Sequence, residues 1–121
     1  MTSGQYKSFA EIHSEEMARI NAVRNSIKSE ISPDNLADLI VQLSSWKGWL
    51  GEKMVEAKME YNRIRNNYRV NFRLSAAAAQ IKAESTPHYH DALFLDQLYK
   101  DCQGLISAAK TKLEVMRNDR F

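Results

Sequence analysis

Between residues 61 and 73 the chain reads YNRIRNNYRVNFR, with four arginines, four asparagines, three aromatics and no acid. Arginine meets phosphate through a planar fork that makes two parallel charge-assisted hydrogen bonds, and it also stacks on bases. Aromatic faces hold bases at roughly 1–3 kcal/mol each. Together these groups suit one nucleic-acid strand held without sequence preference. Arg63, Arg65, Arg69 and Arg73 would take phosphates, Tyr68 or Phe72 would stack bases, and Asn62, Asn66 and Asn67 would add neutral hydrogen bonds.

At about 100° per residue, Tyr61, Ile64, Tyr68 and Phe72 fall on one apolar stripe of a helix. Arg65, Arg69 and Arg73 follow at i, i+4, i+8, starting at the border of that stripe and drifting outward, while Arg63 lies nearly opposite. Acids are absent from residue 61 through residue 83, whereas ordinary solvated helices intersperse both signs. Lys47, Lys53 and Lys58 extend the positive charge backward, where Glu52, Glu56 and Glu60 largely cancel it along the sequence. An acidic protein surface is the alternative occupant, which would make the chain a helical adaptor or structural component. Duplex reading in the major groove is disfavoured, because no helix-turn-helix, basic-zipper or zinc-finger frame accompanies the run.

Other chemistry finds little footing. His88 and His90 in PHYHD stand at i, i+2, which points their rings apart on a helix, and no second cysteine or paired acid completes a metal set. Cys102 falls on the inner stripe of its helix and reads as an inert thiol. With no phosphate-cradling glycine loop, nucleophile elbow or acid pair, the expectation is a protein that is not an enzyme and holds no cofactor or metal.

The elements that must carry these groups are helical. The 121 residues are rich in Ala, Leu, Lys, Glu, Arg, Asn and Met, with four Gly and two Pro, which predicts one all-α domain spanning residues 1–121. A net charge of +2 confines any polyanion binding to a local cluster. A lone cysteine suits a reducing, cytoplasmic setting, and no apolar run nears the roughly 20 residues that cross a bilayer. No membrane association is expected.

Ser32-Pro33 and Thr86-Pro87 each read as a helix start, a capping hydroxyl followed by proline at the first helical position. Three helices follow, at about 7–29, 33–84 and 87–118. Phe9, Ile12, Ile20, Val23 and Ile27 face inward from the first. Leu36, Ile40, Leu43, Leu50, Met54, Ala57, Tyr61, Ile64 and Tyr68 form the stripe of the second, with Lys47, Asn71 and Ser75 as exceptions. Gly48 and Gly51, each costing about 1 kcal/mol inside a helix, mark the place where the long helix would break if it breaks. Trp46 and Trp49 beside them pack a helix crossing or serve as a partner contact. SAAAAQIKAES, residues 75–85, continues the long helix and packs against the third. Short turns predict antiparallel hairpins, the first helix on the front half of the long one and the third on its rear half. The apolar surface left over predicts a homo-oligomer.

A tryptophan-bearing helix, the element Arg63-Ile-Arg65-Asn-Asn-Tyr68 and the closing LYKDCQGLISAAKTKLEVMRND together resemble the UvsY-type recombination mediators of tailed phages, over residues 43 to 118. The resemblance implies an oligomeric, all-helical protein that binds single-stranded DNA. It implies a recombinase and a single-strand-binding protein as partners, and DNA contact by Arg63 and Arg65.

Overall fold

A computed structural model describes residues 5–118. It is all-helical: α1 (Phe9–Ile12), α2 (Ser14–Lys28), α3 (Pro33–Val70), α4 (Ala76–Glu84) and α5 (Pro87–Asn118), with no strand among the described residues. Both proline starts hold. Ser32 Oγ accepts from the Asn35 N–H at 3.2 Å, and Thr86 Oγ1 accepts from the Tyr89 N–H at 3.4 Å while donating to the Ala83 carbonyl at 2.6 Å.

Five helices stand where the sequence predicts three, and each extra boundary has a local cause. The first helix breaks at His13, whose backbone (φ −112°, ψ 40°) leaves the helical region. There the rings of Phe9 and His13 both meet Trp49, at 5.5 and 5.0 Å. The long helix runs unbroken through Gly48 and Gly51 and ends at Val70 instead. Gly51 has a packing role, because a Cβ there would stand 3.3 Å from the Tyr99 ring, whereas one at Gly48 would meet nothing within 4 Å. The actual break spans residues 71–75. Asn71 closes α3, Arg73 takes a left-handed conformation (φ 54°), and the Leu74 N–H turns back onto the Tyr68 carbonyl at 3.2 Å. Ser75 then caps α4 by accepting from the Ala78 N–H at 3.2 Å.

This break resets the packing. α4 folds back mainly on α3, burying Ala79 and Ala83 completely, so it does not rest chiefly on the third long helix. α5 consequently begins beside Tyr61 and runs antiparallel along α3 far into its front half. Tyr89 meets Tyr61, and Cys102 Sγ donates to the Leu43 carbonyl at 3.3 Å. Near the far end Lys112 Nζ donates to the carbonyls of Ile27 and Ser29, at 2.7 and 2.8 Å, closing the C-terminal end of α2. The core gathers Leu36, Leu43 and Leu50 of α3 with Ile20, Val23 and Ile27 of α2 and Leu95, Cys102 and Ile106 of α5. Among the described residues, no helix is long and apolar enough to cross a membrane.

Candidate nucleic-acid interface

The sites predicted from the sequence lie on α3 and the turn after it, and the structure sorts the four arginines. Arg63 belongs to an ion pair: its Nη2 and Nε donate to the two carboxylate oxygens of Glu60, at 2.6 and 3.0 Å. The paired guanidinium holds Glu60 below the usual carboxylate range. The pair is solvent-exposed, so water screens it and it adds little to stability. Arg65 lies over the Tyr61 ring, 5.5 Å from its centroid. Among the described residues, Arg65, Arg69 and Arg73 have no carboxylate within ion-pair distance.

Phe72 does not lie on a buried stripe, because α3 has ended before it. It is 61% exposed, with its ring 5.5 Å from that of half-buried Tyr68. Helical spacing likewise no longer places Arg73, whose left-handed backbone costs a non-glycine residue roughly 1–2 kcal/mol. Val70 (74%) and Ile81 (70%) are also open to water at this end. This end therefore presents arginines without carboxylate partners among the described residues, beside the exposed Phe72 ring, the half-buried Tyr68 ring and exposed aliphatic side chains.

The structure separates some of the charges that cancel along the sequence, although Lys53 pairs with Glu56 and Lys58 with Asp96 of α5, each at 3.5 Å. On α3, Lys47 and Lys58 project within roughly 20° of each other, toward the same side as Arg65 and Arg69, while Glu52, Glu56 and Glu60 point about 120° or more away. Contacts on the two sides bear this out. Lys53, Glu56 and Glu60 line a recess with Tyr6, Phe9, His88 and Asp91, whereas Lys47 and Lys58 flank clefts that open on Tyr99 and Tyr89.

On the side of Glu56 and Glu60 the N-terminal segment is fastened to the start of α5. The Phe9 N–H donates to both Asp91 carboxylate oxygens, at 3.1 and 3.0 Å, the Tyr6 hydroxyl donates to the same carboxylate, and the Tyr6 ring packs on His88. His88 Nδ1 is buried there without a hydrogen-bond partner among the described residues, and His90 is exposed. No group of three or more His, Cys, Asp or Glu side chains is placed to hold a metal ion among the described residues. Cys102 is fully buried, and its desolvation pushes the thiol above the usual range. Trp49 packs against Phe9 and His13, and Trp46 is half-buried against the core.

Tyr89, Tyr99 and Lys110 escape a reading of the sequence that scans for dense basic runs. For Tyr89 and Lys110 the signal is periodic, since Tyr89, Leu93, Asp96, Lys100, Gln103 and Lys110 recur at helical spacing on one face of α5, with Tyr99 at its border. No protein-family model matches this chain, and comparison with curated proteins and with solved structures finds no significant match.

Proposed function

We propose that the chain is a non-enzymatic accessory protein that binds single-stranded DNA by electrostatic capture at the distal end of α3. One observation carries this: Arg65, Arg69 and Arg73, without carboxylate partners among the described residues, adjoin the Tyr68–Phe72 ring pair in a stretch devoid of acids. Unpaired guanidinium groups lose little on meeting phosphate. Rings already half out of water offer faces to unstacked bases. Arg63 is the weakest of the four, since a phosphate must first displace Glu60.

The protein works as an oligomer. Val41, Val55 and Met59, each more than half exposed, line one outward side of α3 and supply surface for self-association. Repeating a modest site multiplies affinity through effective concentration. The resemblance to UvsY-type mediators adds the more specific version, in which the oligomer acts in phage recombination with a recombinase and a single-strand-binding protein, in the cytoplasm.

Labelled oligo-dT titrated by fluorescence anisotropy against wild type and an Arg65→Glu/Arg69→Glu variant tests this function. Wild type binds with an affinity that falls steeply with salt, and the variant loses at least tenfold. Absence of salt-sensitive binding by wild type refutes it and leaves an acidic protein as the occupant; equal binding by both proteins refutes the site.

A further inference from the structure

We infer that the seam between α3 and α5 continues the strand's path away from the distal end, with bases entering two tyrosine-walled clefts and phosphates resting on the lysines that flank them. The first cleft, about 370 Å3, is walled on one side by Tyr61 and Tyr89, whose rings pack on each other with centroids 5.2 Å apart and planes tilted by 45°. Leu93 and Ala92 supply its apolar floor, Asn62 and Lys58 its polar rim. The second, about 480 Å3, opens on Tyr99 between Lys47 and Lys110, with Lys47 Nζ 5.6 Å from the Tyr99 ring centroid. Gly51 fits this site, since a Cβ there would stand 3.3 Å from the Tyr99 ring and the ring would have to shift slightly to admit it.

The ligand class follows from these walls. Two partly open aromatic rings with an aliphatic floor accept a flat, unsaturated ring edge-on or stacked, and cations at the rim require that the ring carry phosphate. Nucleotides of a single strand meet both conditions at every residue, whereas an acidic peptide offers carboxylates in place of phosphate and a ring only where an aromatic residue falls. Asp96 is the one acid lining either cleft, and it is already claimed by Lys100 at 2.9 Å and Lys58 at 3.5 Å, which hold it below the usual carboxylate range. From Lys47 to Arg69 the helix advances about 33 Å at 1.5 Å per residue, room for at most about ten stacked nucleotides at ~3.4 Å each.

This inference rests on the strand-binding function proposed above, and the test separates the two. A labelled ten-residue oligo-dT and an abasic strand with the same number of phosphates are titrated against wild type, Tyr89→Leu, Tyr89→Phe and Lys110→Glu, each variant first shown to unfold cooperatively. Wild type prefers oligo-dT to the abasic strand. Tyr89→Leu weakens oligo-dT by about 5- to 150-fold, the effect of one lost stacking contact, leaves abasic binding unchanged, and keeps the wild-type salt dependence. Tyr89→Phe retains binding. Should Tyr89→Leu fail to fold, exposed Lys110→Glu replaces it as the probe, lowering affinity for both strands severalfold. Equal binding of both strands by wild type, or wild-type affinity in both Tyr89→Leu and Lys110→Glu, overturns the seam path while leaving capture at the arginines intact. Absence of binding to either strand overturns both.

Discussion

The two halves of α3 do different work, although one hydrophobic stripe runs through both. In the front half Leu36, Leu43 and Leu50 are completely buried, enclosed by α2 and α5. Beyond Leu50 no α3 residue is buried: Met54, Ala57, Tyr61, Ile64 and Tyr68 are all partly open. The reason lies in what covers them. The front half faces Ile, Val and Leu, whereas the distal half is covered by α4, whose inward residues are alanines, and by the first turns of α5. A small cover leaves rings and guanidinium groups at the surface. The fully buried leucines of α3 lie in its front half, and its acid-free run of arginines and partly open rings lies at the other end.

Core truncation tests this contrast with the largest expected effect. Leu43→Ala should cost about 2–5 kcal/mol in urea denaturation, while Ile64→Ala, at a half-open position, should cost about 1 kcal/mol. Equal losses would erase the distinction between the halves. Removing the cap of α4 comes next. Ser75→Ala should cost about 1 kcal/mol, and hydrogen exchange should quicken in α4 and leave the front half of α3 protected.

The glycines sharpen the comparison within the front half. Gly48→Ala should raise stability by up to about 1 kcal/mol, because its methyl enters open space. Gly51→Ala should gain less, because the methyl must displace Tyr99.

The smallest effect concerns alkaline pH. Burial, then the bond to Asp91, raises the Tyr6 hydroxyl above its usual range. The fold therefore favours the neutral phenol, and its contribution is complete below the ordinary tyrosine value of about 10. Above that pH it is lost progressively, as the folded-state value is approached. Tyr6→Phe should flatten that alkaline limb in a pH series of thermal melts.

Much of the fold is legible in the sequence because it is written in strong local signals. Ser32-Pro33 and Thr86-Pro87 start helices where hydroxyl-proline pairs should, and α5 spans the predicted 87–118. The break at residues 71–75 was legible in a weaker form. Asn71 and Ser75 interrupt the hydrophobic stripe of the long helix, and they prove to be the cap residues on either side of the turn. Glycine drew attention to residues 48–51 instead, yet helical glycine can also mark a close contact, as Gly51 does with Tyr99. An arginine at a left-handed position gives no sequence signal at all, since glycine or asparagine is the usual occupant.

The candidate site divides similarly. The density of arginines in residues 61–73 is visible in one dimension, but the pairing of Arg63 with Glu60 is a matter of rotamers. The apparent cancellation of Lys47 and Lys58 by Glu52, Glu56 and Glu60 disappears once the helix turns them to different sides. Tyr89 and Tyr99 join the site only through the antiparallel course of α5 along α3, which depends on where the preceding helix breaks.

The salt dependence of oligo-dT binding tests the central claim most directly. Three phosphate contacts from Arg65, Arg69 and Arg73 predict that log K falls against log salt with a slope of about −2, at ~0.7 per neutralised phosphate of a single strand, and more steeply if the seam lysines also engage. An Arg65→Gln/Arg69→Gln variant should flatten that slope by about 1.4. A slope near zero in wild type, or one unchanged in the variant, would contradict electrostatic capture at the distal end of α3.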